Sequence, residues 1–85
     1  MDDVEPITRR ARHKMPTDVR EALVASDTLD AYDARPPYQR NDYIGWIVKA
    51  KRDVTRVARI AQMIDELRRG DVYMKMAWRA PSKTR

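Results

Sequence analysis

Apolar residues recur along this chain at helical spacing, in stretches separated by prolines, a charged hinge and one glycine. After Pro16, the positions Val19, Ala22 and Leu23 predict a short helix over 18–25, with Thr17 as its N-cap and Asp18 and Glu21 complementing the free amides of the first turn. Ser26 or Asp27 then opens a second short turn in which Leu29, Ala31, Tyr32 and Ala34 can pack. Arg35-Pro36-Pro37 ends it, because a residue before proline is pushed out of the helical region. The same prolines start the next element, since a first-turn proline gives up no hydrogen bond. Tyr43, Ile44, Ile47 and Ala50, with Trp46 alongside, predict a helix over 38–51. Gly45 weakens it by up to about 1 kcal/mol relative to alanine, which points to a close approach by another backbone. Asp53 caps the longest helix, 54–69, where Val57, Ile60, Ala61, Ile64 and Leu67, with Val54 at the margin, form a stripe toward the preceding helix. Gly70 supplies a left-handed stop. Beyond it Val72, Met74, Met76 and Trp78 alternate with Tyr73, Lys75 and Ala77, a strand-like period without a partner strand.

The expected fold class is therefore all-α: a small bundle of three to four helices, two of them long and antiparallel, with flexible basic termini. Residues 1–15 form the leader, 16–70 the helical domain and 71–85 an extended or disordered tail that can lay Trp78 or the methionines on the helices. With 85 residues and no Phe, the core is thin, and Trp46, Trp78 and the four tyrosines are the candidates for most of the burial. Such a bundle leaves part of each apolar stripe exposed, so weak homo-oligomers are expected. No cysteine is present, which excludes disulfides, thiol redox chemistry and thiolate zinc. No apolar run reaches the roughly 18–20 residues a transmembrane segment needs. The opening Asp2, Asp3 and Glu5 are unlike a signal peptide, so a cytoplasmic protein is expected.

The net charge of +5 favours anionic partners, but much of the excess lies in 8–14 and 79–85, the ends that read as solvated. Catalytic chemistry finds no foothold. His13 sits in the basic leader without a partner array for a metal or a general base. Ser26 and Ser82 lack a positioned base, and neither glycine belongs to a phosphate-cradling loop. The acidic pairs Asp30 with Asp33 and Asp65 with Glu66 read as solvated helix faces. No enzyme and no cofactor is expected.

One constellation stands out. Lys49, Arg52, Arg56 and Arg59 step at intervals of three and four, with Lys51 beside them, so a tight break at Asp53 would line them along the junction of the two long helices. Such a ridge can grip phosphates or a partner's carboxylates. The competing reading is that these side chains pair with Asp42, Asp53 or Glu66 and lie over the core. A helix-turn-helix fits poorly, because of the Asn, Gln or Ser expected beside Arg for reading base edges the second helix offers only Gln62. Trp78 is a further candidate partner contact.

Tyr43-Ile44-x-Trp46-Ile47-x-x-Ala50-Lys51-Arg52, then Thr55-Arg56-x-x-Arg59-Ile60, and Leu67-x-x-Gly70 resemble the signature of the YdeI/OmpD-associated family, also described as bacteriocin-protection proteins. Met15-Pro16-x-Asp18 and Leu23 resemble the start of the same domain, so the likeness spans about 15–70. It implies a small α-helical domain linked to envelope stress and resistance to antimicrobial peptides, often fused to a small β-barrel that is not expected within these residues. The proline usual after the Lys-Arg hinge is Asp53 in this chain. Two functions are compatible with the residues: a non-enzymatic interaction module with a protein partner, using the basic ridge and Trp78, or charge-driven binding of nucleic acid.

Overall fold

In a computed structural model, which describes residues 13–79, Pro16 holds an extended conformation and the first helix, α1, runs Thr17–Ala25. Thr17 is its first residue and not its cap. The Asp18 carboxylate accepts from the Val19 amide, and the Pro16 carbonyl closes the first turn onto Arg20. Ser26 and Thr28 join hydroxyls at 2.6 Å around Asp27, whose φ of 60° turns the chain into the five-residue helix α2, Leu29–Asp33. Pro37 then occupies the first turn of α3, Pro37–Val48. A short hinge of residues 49–52 leads into α4, Asp53–Arg69, stopped by Gly70 at φ 80°. That stop is the one the sequence predicts, because only glycine adopts a left-handed conformation without strain against a Cβ.

Buried side chains from all four helices make the core: Val19 and Leu23 of α1, Tyr32 of α2, Tyr43, Ile44 and Ile47 of α3, and Met63 and Leu67 of α4. Tyr43 reaches Glu66, whereas Trp46, one turn further along α3, reaches Arg59. The order is reversed between the two helices, so α3 and α4 are antiparallel, as expected. Trp46 is only partly buried at the core's edge, and Trp78 is half-buried outside it. Tyrosine and aliphatic residues supply the centre instead.

The described chain is mainly helical, but its C-terminal segment corrects the expectation of a purely α-helical bundle with an extended or disordered tail. The strand-like period finds its partner in itself. Strand β1, Val72–Tyr73, pairs antiparallel with β2, Met76–Ala77, around a two-residue turn of Met74 and Lys75. At the other end, His13 and Met15 are docked and not a free leader: the His13 amide donates to Asn41 Oδ1 at 2.9 Å, and Met15 packs on the core. The close approach anticipated at Gly45 is real, but it comes from a side chain. A Cβ there would lie 2.7 Å from His13 Nε2. The expectations for 1–12 and 80–85, including Ser82, fall outside the described residues.

Candidate functional site

The densest polar arrangement lies where α4 ends. Glu66 is only 2% exposed, contrary to its reading as part of a solvated acidic face. Both carboxylate oxygens are fully engaged. Oε1 accepts from the Tyr43 hydroxyl at 2.5 Å and the Met74 amide at 2.8 Å; Oε2 accepts from the Lys75 amide at 2.9 Å and Gln62 Nε2 at 3.0 Å. Burial by itself would raise the Glu66 pKa, but the Tyr43 hydroxyl, the Lys75 and Met74 amides and Gln62 together bring it below the ordinary 4.5. Tyr43 responds in the opposite direction: burial first, then its bond to the carboxylate, push its phenol well above the ordinary value.

This carboxylate also explains the hairpin. Met74 and Lys75 both have positive φ, 50° and 64°, a combination that tight hairpin turns normally assign to Asn-Gly. Left-handed backbone at two residues with side chains is unfavourable. The two successive amides aimed at Glu66 offset that cost, since hydrogen bonds to an ionised, buried acceptor are among the stronger ones in proteins. Around the hairpin, Tyr73 makes edge-on contacts with Tyr38 and Tyr43 and donates to Asp42 at 2.6 Å. Arg35, buried to 5% exposure, donates to Gln39 Oε1 and to the Glu66 carbonyl, both at 3.0 Å, with its guanidinium 4.6 Å from the centre of the Trp78 ring. Trp78 is therefore held by the fold and is half-buried.

At the other end of α4 the predicted ridge divides. Lys49, Lys51 and Arg52 are exposed at the hinge. Arg56 turns toward α1 and grips Asp18 with two bonds of 2.8 and 3.0 Å, an interaction that lowers the Asp18 pKa. Arg59 donates to the Trp46 carbonyl at 2.6 Å, with its guanidinium 5.3 Å from that indole's centre. The reason lies in the end of α3. The Ala50 amide bonds to the Ile47 carbonyl, leaving the Trp46 carbonyl without its usual partner four residues on. A cation at a helix C-terminus meets both that carbonyl and the negative end of the helix dipole. Sequence spacing brings the five cations to one region but does not make them one surface: two are engaged within the molecule and three face solvent.

The outward side of α4 corrects the predicted stripe. Val54 and Val57 are 67% and 65% exposed, and Ala58 and Ala61 are exposed with them. These four residues follow the i, i+3, i+4, i+7 spacing of a single helix face. The core side of α4 uses Met63, Leu67 and Glu66, with Ile60 and Ile64 at its margin. The stripe read from the sequence thus mixed two faces, and Met63 was the missing signal that would have fixed the rotation.

An open groove of about 500 Å³ between α4 and the hairpin is lined by acids and bases alike, including Asp65, Glu66, Arg69 and Lys75. Among the described residues, no group of three or more His, Asp or Glu side chains could hold a metal, and no helix is long and apolar enough to cross a membrane. His13 packs on Gly45.

The fold is that of a small, mainly helical domain closed by a hairpin. Its family follows from comparison: residues 12–70 match the family described as "Bacteriocin-protection, YdeI or OmpD-Associated", and the chain belongs to it. The match covers most of the chain and includes all four helices. No curated protein and no solved structure gives a significant match.

Proposed function

We propose that this chain is a non-enzymatic protein-interaction module, acting in the envelope or antimicrobial-peptide stress setting that its family description suggests. The observation that carries this reading is the outward face of α4, where Val54, Val57, Ala58 and Ala61 meet water beside the cationic hinge of Lys49, Lys51 and Arg52. A helix on the surface of a small domain ordinarily turns such residues inward, and contiguous apolar residues left outside favour a binding surface.

Binding of nucleic acid through the hinge is the second reading. It is favoured by the three exposed cations, and weakened by the inward engagement of Arg56 and Arg59, which reduces the number of phosphates the helix can neutralise. The two readings separate in one experiment. Affinity capture from nuclease-treated bacterial lysate is run with the native chain and with Val54→Glu/Val57→Glu, beside fluorescence anisotropy on random duplex DNA at low and moderate salt. A stoichiometric partner lost with the double variant, and no DNA binding, supports the module. Salt-steep DNA binding that both chains share would replace it with the nucleic-acid reading.

A further inference from the structure

All eight buried apolar side chains of the core lie at or before Leu67, so the hairpin contributes none of them. It is attached from outside. A two-stranded hairpin is at best marginally stable in water, and this one also carries left-handed backbone at Met74 and Lys75, φ 50° and 64°. Its attachment must offset both costs. Tyr73 and Met74 pack partly buried against the core, and Trp78 lies against Arg35. The remaining contacts end on two carboxylates: Glu66 accepts the Met74 and Lys75 amides at 2.8 and 2.9 Å, and Asp42 accepts the Tyr73 hydroxyl at 2.6 Å. Glu66 is the sensitive one. Each of its oxygens receives one backbone amide, and a backbone amide can only donate. The Tyr43 hydroxyl on Oε1 and the Gln62 carboxamide on Oε2 can turn to accept from a protonated carboxyl, but the two amides cannot.

We propose that residues 71–78 form an acid-released strap: protonation of Glu66 detaches the hairpin from α3 and α4 as a unit, while the four helices keep their core. The strap is independent of what the outward face of α4 binds. Charged groups reach the neighbourhood of Glu66 from every element around it. Arg35, ahead of α3, donates to its carbonyl at 3.0 Å, and α3 brings Asp42 through Tyr73. On α4 Asp65 and Arg69 line the same groove as Glu66, and the hairpin adds Asp71 and Lys75. Three cations thus stand against three carboxylates, so the four donors, more than the surrounding charge, keep Glu66 ionised. Burial by itself would raise its pKa, and those donors bring it below the ordinary 4.5. The strap is therefore fully held above 4.5 and comes free as the pH falls through the lower value of the closed fold. Local opening of this kind needs few buried apolar contacts, which is what the hairpin has.

The two tryptophans report on the two parts separately, since Trp78 follows β2 and Trp46 lies in α3. In Trp46→Phe, acidification should shift the Trp78 emission to the red, toward that of an indole in water, at a pH where the circular dichroism of the helices is unchanged. In Trp78→Phe, the Trp46 emission should move only at lower pH, together with the helix signal. Glu66→Gln in the Trp46→Phe background removes the charge and sets a donor against the same amides. It should show the released Trp78 emission at neutral pH, with the helix signal retained and the acid step gone. Asp42→Asn should keep the acid step, because Glu66 still titrates. In the native chain, protection of the Met74 and Lys75 amides from hydrogen exchange should be lost at higher pH than that of Met63 and Leu67, a comparison that holds even if a variant fails to fold. One transition shared by Trp78, Trp46 and the helix signal, or joint loss of protection at all four amides, overturns the strap. So does a folded Glu66→Gln chain whose Trp78 emission at neutral pH matches its parent, and so does an acid step that disappears in Asp42→Asn.

Discussion

The two halves of α4 are built on opposite plans. In the second half, Met63 and Leu67 face the core, Glu66 is buried with them, and Asp65, Arg68 and Arg69 face water. In the first half, arginines face the neighbouring helices while Val54, Val57, Ala58 and Ala61 face outward. One helix thus carries a folding surface at one end and an unused apolar surface at the other. Its mean amphipathic direction therefore says little about either half. The inversion arises from what each half must neutralise. The end of α3 presents a carbonyl and a dipole that attract a cation, whereas the hairpin presents two amides that attract an anion.

The comparison breaks most severely at Glu66. Replacing it with alanine leaves the Tyr43 hydroxyl and two hairpin amides without their acceptor, and should destabilise the fold by about 3–5 kcal/mol in urea unfolding. The same hydrogen bond sets a window in pH. The Glu66 pKa is depressed in the fold, so its contribution is complete above the ordinary 4.5 and is lost as pH falls through the folded-state value. The Tyr43 pKa is raised, so its contribution is complete below the ordinary 10.0 and declines as pH rises beyond it. Urea midpoints followed across pH should show both flanks, with Tyr43→Phe reducing the alkaline one, to which the buried Tyr32 phenol also contributes.

Leu67→Ala, a plain core truncation in the same half, should cost about 2–5 kcal/mol. Arg59→Ala removes one charge-assisted bond at a helix end and should cost about 1–2 kcal/mol, seen as faster amide exchange in the last turn of α3. Arg56→Ala loses a pair whose aspartate is half exposed and should cost less than about 1 kcal/mol, the loss shrinking with added salt. Val57→Glu should leave monomer stability within about 0.5 kcal/mol of the parent, since its side chain is already in water. A large loss there would place Val57 in the core and remove the distinction between the two halves.

Local signals made much of this fold readable. Pro16, Pro37 and Gly70 mark helix boundaries through backbone chemistry that no tertiary contact overrides, and the antiparallel pairing of α3 and α4 follows from the short hinge. The rotation of α4 was not readable, because valine and alanine at helical spacing carry the same pattern whether they face a core or water. Glu66 was concealed for a related reason: a glutamate beside an aspartate looks solvated until the turn that needs its oxygens is in place. That turn was itself hidden, since Met74-Lys75 lacks the Asn or Gly that announces a left-handed hairpin. Of the basic ridge, the sequence located the residues, while the division into hinge cations and inward braces depended on Asp18, 38 residues from Arg56, and on the carbonyl that the end of α3 leaves free at Trp46.

The family match ends at Gly70, but two of the donors to the Glu66 carboxylate come from beyond it, the amides of residues 74 and 75. A chain cut at Gly70 would keep every helix and still lose two of the four donors to Glu66, along with the ring of Tyr73 against Tyr43. Truncation from the C-terminus should therefore lower stability already at the hairpin, before it reaches α4.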